Sequence, residues 1–65
     1  MNLRAAVKVC HTDYRIAARI SDCLRFRFGM DYQQSQEWVQ ERNPKLTPDK
    51  WEALMYEADY YGPER

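Results

Sequence analysis

Apolar residues recur at spacings of three and four through the first 28 residues, and no other feature of the sequence constrains the fold as strongly. This spacing places side chains along one face of an α-helix. Asn2 suits the N-cap, and Gly29 suits the left-handed position that commonly ends a helix. The sequence therefore predicts one long helix over about residues 3–28. Its apolar face is formed by Leu3, Val7, Cys10, Tyr14, Ala17, Leu24 and Phe28, with Ser21 as the one polar member.

The weakest part of this helix is the segment 10–13, which reads Cys-His-Thr-Asp. Thr and Asp are poor helix formers because their side chains hydrogen-bond to the backbone in non-helical conformations. Either Thr12 or Asp13 could also cap a fresh helix start. The sequence therefore leaves a break near residue 12 open.

A second helix is predicted over about residues 32–42. Asp31 followed three residues later by Gln34 is the pattern of a capping box, which begins a helix. Pro44 disfavours a helical conformation at the residue before it, so the helix should end near Asn43.

A third helix is predicted over about residues 48–61. Thr47 is placed to cap it, and Pro48 occupies the first helical position, where proline is favoured. Leu46 and Trp51 stand at the two positions of a hydrophobic staple. Gly62, followed by a proline, ends the helix.

The predicted fold is all-α, a single helical domain over residues 1–65 in which the two shorter helices pack on the long one. A second apolar stripe, at Ile16, Ile20 and Cys23, lies beside the first. The two short helices offer too few large side chains to cover both stripes. Because leaving apolar surface exposed to water is unfavourable, we expect a homodimer. Its predicted interface is Val7, Cys10, Tyr14, Ile16, Ile20 and Leu24.

No catalytic, cofactor or metal site is predicted, because the residues that such sites need are scarce. The single histidine, His11, follows Cys10 directly, and adjacent side chains on a helix diverge by about 100°. His11, Cys10 and Asp13 also lack the spacing of a zinc motif. Only two glycines are present, so there is no glycine-rich loop to hold a phosphate. We expect a protein that is not an enzyme.

The sequence contains no apolar run that could serve as a signal peptide or a membrane span. Cys10 and Cys23 would lie about 20 Å apart along one helix, which is too far for a disulfide. We therefore expect a reduced protein of the cytoplasm that does not contact a membrane.

The charges are divided unevenly along the chain, although the formal net charge is zero. Residues 1–28 carry six basic and two acidic side chains, a net charge of +4, and residues 29–65 carry four basic and eight acidic ones, a net charge of −4. Four cations fall on one side of the predicted first helix. They are Arg4, Lys8, Arg15 and Arg19.

This stripe of cations has two interpretations. It could bind the phosphates of nucleic acid in a dimeric protein. Alternatively, it faces the acidic helices of the same chain or of a partner subunit, which the cancelling total charge favours. Nucleic-acid binding is therefore kept as the alternative function.

The C-terminal segment combines carboxylates with tyrosines, which are enriched at protein interfaces because one end of the side chain is apolar and the other polar. The candidate partner surface is Glu52, Tyr56, Glu57, Asp59, Tyr60 and Tyr61. The alternative is an ordinary solvated helix end, with Tyr60 and Tyr61 packed partly against Trp38.

In its size, its helical layout and two segments, the chain resembles the small early-region proteins of lambdoid bacteriophages, encoded between the exonuclease and excisionase genes. The segments are the opening Met1-Asn2-Leu3-Arg4-Ala5-Ala6 and the turn Arg25-Phe26-Arg27-Phe28-Gly29-Met30-Asp31. The resemblance implies an accessory protein that modulates host or phage development in the host cytoplasm. It supplies no catalytic residue. We expect a non-enzymatic regulatory protein that binds a host protein.

Overall fold

Four α-helices and one short 3₁₀ turn account for most of residues 2–62, the part of the chain that the computed structural model describes. The all-α prediction is confirmed. The helices are α1 (Leu3–Val9), α2 (Tyr14–Phe26), α3 (Tyr32–Arg42) and α4 (Pro48–Tyr61), and the 3₁₀ turn Cys10–Thr12 joins α1 to α2.

The prediction of one continuous helix over about residues 3–28 is wrong, because the chain breaks at residues 10–13. Thr12 Oγ1 donates to the carbonyl of Val9 at 2.6 Å, and Asp13 adopts an extended backbone. The Asp13 side chain then accepts from the backbone N–H of Arg15 at 2.8 Å and caps α2. An unbroken helix of this length would span about 39 Å, whereas the longest extent of the molecule is 27 Å.

Asp13 is the residue on which this break can be tested. The Arg15 guanidinium donates to its carboxylate at 3.0 Å, and this bond, together with the one from the Arg15 backbone, lowers the pKa of Asp13. A lowered folded-state pKa means that the ionised carboxylate stabilises the fold above its ordinary pKa. That contribution is lost as the pH falls through the lowered pKa.

We therefore expect Asp13→Ala to lower the free energy of unfolding by about 1 kcal/mol at neutral pH, the usual effect of removing an N-cap. The deficit should shrink in acid, where the wild-type carboxyl is protonated. Urea unfolding followed by circular dichroism at neutral and acidic pH measures both values. Asp13→Asn is the control, because an asparagine still caps the helix without titrating. Equal stability of Asp13→Ala and the wild type at neutral pH would contradict this assignment.

The C-terminal end of α2 also differs from the prediction. The helix ends at Phe26, and the chain reverses through Gly29, whose φ of +71° is the left-handed conformation that glycine favours. Phe28, predicted on the apolar face, is instead 62% exposed, because it lies in this turn beyond the last helical residue.

The boundaries predicted for α3 and α4 are confirmed, because local capping signals set them. Asp31 and Gln34 form the complete capping box, with both reciprocal hydrogen bonds present. Thr47 Oγ1 accepts from the backbone of Lys50 at 3.2 Å and caps α4. Leu46 and Trp51, the predicted staple, are both buried.

Helix α2 lies at the centre of the molecule. Helices α1, α3 and α4 all pack against it, whereas α1 and α4 do not contact each other within the described residues. The buried apolar core draws on every helix. It consists of Val7, Cys10, Ala17, Ile20, Leu24, Val39, Leu46, Trp51 and Leu54.

This core corrects the residues predicted for a dimer interface. Val7, Cys10, Ile20 and Leu24 are buried within the single chain, and Tyr14 and Ile16 are half-buried against the same core. The reason is the break at residues 10–13, which allows α1 to fold back against α2, so that the apolar residues of these two helices bury one another. A charge at Ile20 would be buried in the monomer and could not report on assembly. A homodimer stays a prediction, and Val7, Cys10, Ile20 and Leu24 cannot form its interface while they are buried within the chain.

Candidate functional site

Cys10, His11 and Asn43 come together where the 3₁₀ turn meets the end of α3, although 32 or more residues separate Asn43 from the other two. The Asn43 amide nitrogen donates to the Val7 carbonyl at 2.8 Å, and it lies 3.2 Å from His11 Nδ1 and 3.8 Å from Cys10 Sγ. Its oxygen accepts from the backbone of Lys45 at 3.1 Å.

These are the residue types of a cysteine-protease triad, but their arrangement does not suit nucleophilic chemistry. The Cys10 side chain is fully buried, and its thiol donates to the Val7 carbonyl at 3.3 Å. Burial raises the pKa of this thiol, although the Asn43 hydrogen bond opposes the shift, so the reactive thiolate is disfavoured. The cluster instead fastens the end of α3 to the break between α1 and α2.

The predicted partner surface is the most exposed aromatic region of α4. Tyr56, Tyr60 and Tyr61 are each more than half exposed. Their rings form a chain of contacts, with centroids 6.4 Å apart for Tyr56–Tyr60 and 5.1 Å apart for Tyr60–Tyr61. Tyr61 also contacts Tyr14 of α2 at 5.5 Å. No ring contact joins Tyr60 or Tyr61 to Trp38 within residues 2–62, and the ring that Tyr61 contacts outside α4 is that of Tyr14.

Carboxylates flank these rings on α4. Tyr56 and Tyr60 lie one turn apart on the exposed side of the helix, with Glu52 and Glu57 beside them, both also exposed. We call Glu52, Tyr56, Glu57, Tyr60 and Tyr61 the acidic tyrosine face. Asp59, predicted as a member, is also exposed and lies one turn beyond Tyr56, where it borders the neighbouring groove between α2 and α4.

Asp59 lines a groove of about 490 Å³ between α2 and α4. This groove carries mixed charge, since Arg25 and Asp22 also line it. The hydroxyl of buried Ser21, which borders it, has no hydrogen-bond partner among the described side chains and backbone. With both signs of charge present, the groove does not select one class of charged ligand.

The predicted stripe of cations does not exist as one surface. Arg4 and Lys8 lie on α1, whereas Arg15 and Arg19 lie on α2 beyond the break. All four are exposed, but Arg15 forms an ion pair with Asp13 and lines the groove between α2 and α4. The stripe required a continuous helix, so the break divides it.

Two other grooves lie on either flank of α1, and cations line both of them. The groove between α1 and α3 has a volume of about 550 Å³ and is lined by Leu3, Arg4, Val7, Lys8, Trp38 and Arg42. The groove between α1 and α2 is lined by Leu3, Ala6, Ile16, Arg19, Ile20, Cys23 and Arg27. Leu3 borders both, and none of these lining residues is acidic. We call Arg4, Lys8, Arg19, Arg27 and Arg42 the basic side.

The turn after α2 presents two phenylalanines that were not predicted as surface residues. Phe26 is 77% exposed and Phe28 is 62% exposed. The Arg25 guanidinium lies 5.5 Å from the centre of the Phe26 ring. The signal in the sequence is the alternation Arg-Phe-Arg-Phe directly before a glycine, where the helix cannot continue.

No group of three His, Cys, Asp or Glu side chains in the described range lies close enough to hold a metal ion. No helix between residues 2 and 62 is long and apolar enough to cross a membrane. Both cysteines are free thiols. No protein-family model matches the chain, and no match is found among curated proteins or solved structures.

Proposed function

We propose that this chain is a small non-enzymatic regulatory protein that binds another protein through its acidic tyrosine face. The observation that carries the proposal is the chain of ring contacts from Tyr56 through Tyr60 to Tyr61, exposed on α4 and flanked by carboxylates. The resemblance to early-region proteins of lambdoid phages supports a role in host or phage development. The host cytoplasm is the compartment in which such a protein would act.

The chemistry of this face defines its partner. Tyrosines supply large contact area at a low cost in side-chain entropy, and they are frequent among the residues that dominate binding energy. The flanking carboxylates attract a surface that carries lysines and arginines. The partner surface that fits is therefore basic, with apolar positions that receive the rings.

Tyr56→Ala/Tyr60→Ala is the variant that tests this proposal. Both side chains are about 70% or more exposed, so their removal leaves the core intact. Truncating one of the few residues that dominate an interface costs about 2 kcal/mol or more, which corresponds to a loss of roughly 30-fold in affinity. We expect proteins that the wild type captures from a bacterial lysate to be lost with this variant.

Phe26→Ala/Phe28→Ala is the matched control, because it removes two equally exposed aromatic rings elsewhere on the surface. It should capture the same proteins as the wild type. Identical capture by all three proteins would show that the acidic tyrosine face is not the binding surface.

A second candidate function is nucleic-acid binding by the basic side. The absence of any carboxylate among the described residues that line the two grooves beside α1 favours it. The apolar floors of these grooves and the interruption of the predicted stripe count against it. Phosphate contacts are most effective along a continuous line of cations that follows the nucleic-acid backbone.

A further inference from the structure

We propose that the basic side of one molecule binds the acidic tyrosine face of a second copy, so that the protein associates with itself head to tail. This inference rests on the proposed function in one respect, which is that the acidic tyrosine face is an interaction surface. It goes further by assigning the basic side and by naming the partner of both surfaces.

The first support is that the two cations of α1 are not neutralised by the acidic tyrosine face of the same chain. Helix α1, which carries Arg4 and Lys8, makes no contact with α4 in residues 2–62. Neither the Arg4 nor the Lys8 side chain forms a hydrogen bond or an ion pair with any other described residue. The charges of the α1 side are therefore available to another molecule.

The second support is the shape and chemistry of the groove between α1 and α3. Its floor is apolar, formed mainly by Leu3 and the half-buried Trp38, and its rim is cationic. The Arg42 guanidinium lies 3.9 Å from the centre of the Trp38 ring and shows that this ring already accepts a cation on its face. A tyrosine ring placed against this floor would be buried while its hydroxyl stays near water.

The acidic tyrosine face offers the complementary set of groups. Tyr56 and Tyr60 would pack on the apolar floor, and the adjacent Glu52 and Glu57 would lie beside Arg4 and Lys8 on the rim. Carboxylates paired with cations make hydrogen bonds about twice as strong as neutral pairs do. A nucleic acid would satisfy the cations but would leave the apolar floor without a matching group, so the observations favour a second copy.

Such a contact joins two different surfaces, so each pair leaves one basic side and one acidic tyrosine face unused. An assembly of this type closes into a ring or grows as an open chain. Its affinity should fall as salt is added, because exposed charges are screened over about 10 Å at 0.1 M ionic strength.

The test is sedimentation velocity of the full chain at micromolar to millimolar concentrations. We expect the wild type to self-associate with an affinity that weakens at least tenfold between low and physiological salt. Arg4→Glu/Lys8→Glu should be monomeric, and so should Glu52→Lys/Glu57→Lys. An equimolar mixture of the two variants should regain association, because each supplies the surface that the other has lost.

Arg25→Glu/Lys45→Glu is the control, since it makes the same change in charge at exposed residues that line neither groove beside α1. It should associate like the wild type. Circular dichroism verifies that every variant is folded.

Three results would overturn the inference. The first is a wild type that stays monomeric throughout, and if it then binds a DNA duplex in low salt and loses that binding with Arg4→Glu/Lys8→Glu, the basic side is assigned to nucleic acid. The second is self-association that survives Arg4→Glu/Lys8→Glu. The third is a mixture of the two variants that stays monomeric. If self-association fails while Tyr56→Ala/Tyr60→Ala still abolishes capture of a lysate protein, the proposed function stands without this inference.

Discussion

Trp51→Ala should remove a large part of the stability of the fold. Trp51 is the largest fully buried side chain, with no exposed area, and it packs among the core residues of every helix. Truncating a buried tryptophan to alanine usually costs about 3–5 kcal/mol. A chain of this length has a total stability of roughly 3–10 kcal/mol at the usual value per residue. Urea unfolding followed by circular dichroism measures the loss.

Trp51→Phe separates the loss of volume from the loss of an aromatic ring. The Trp51 Nε1 group has no hydrogen-bond acceptor among the described residues, so phenylalanine removes an unsatisfied donor as well as part of the ring. The relief of that donor, about 1–3 kcal/mol, should offset much of the lost packing. A Trp51→Ala protein as stable as Trp51→Phe would show that this residue is not central to the core.

Asn43→Asp should be the most damaging single-atom change in the chain at neutral pH. The buried amide nitrogen of Asn43 donates to the Val7 carbonyl at 2.8 Å, and a carboxylate oxygen in its place would face that carbonyl without a proton. The Lys45 N–H would still donate to the other carboxylate oxygen, but loss of the donor to Val7, together with burial of a charge against that carbonyl, should cost roughly 3 kcal/mol.

The pH dependence of Asn43→Asp distinguishes this explanation from a simple loss of packing. Burial and the facing carbonyl raise the pKa of the introduced carboxyl in the folded state, so the deficit grows as the pH rises above the ordinary carboxyl value of about 3.9 and shrinks below it. Asn43→Ala removes the donor without adding a titrating group. It should show a smaller deficit that does not recover in acid. If Asn43→Asp loses the same free energy of unfolding in acid as at neutral pH, the explanation by a buried charge is wrong.

Asn43 also explains why the break in the first helix could not be decided from the sequence. The helix propensities of residues 10–13 differ from those of good helix formers by only a few tenths of a kcal/mol each. The buried hydrogen bond from Asn43 to the Val7 carbonyl outweighs these small differences in propensity. The two residues are distant in sequence, so local patterns do not reveal the bond. The boundaries of α3 and α4 were predictable because Asp31 and Thr47 act on backbone groups only three residues away.

The same distinction applies to the candidate surfaces. The exposure of Tyr56, Tyr60 and their acidic neighbours follows from the spacing of residues within one helix, which the sequence contains. The predicted dimer interface and stripe of cations both depended on the continuity of the first helix, and both changed when α1 folded back. The exposure of Phe28 depended on where α2 ends, which is set two residues earlier than the apolar spacing indicates.

Helix α1 carries two cations and no acid, whereas α4 carries four acids and one cation and does not contact α1 within residues 2–62, so opposite charges are separated in a molecule of zero net charge. Near its isoelectric point, at about pH 6.5, no net repulsion keeps copies apart, while oriented dipoles attract one another. Added electrolyte weakens that attraction before it affects the buried core. The protein should therefore dissolve better in moderate salt than in pure water, the salting-in behaviour of a dipolar ion.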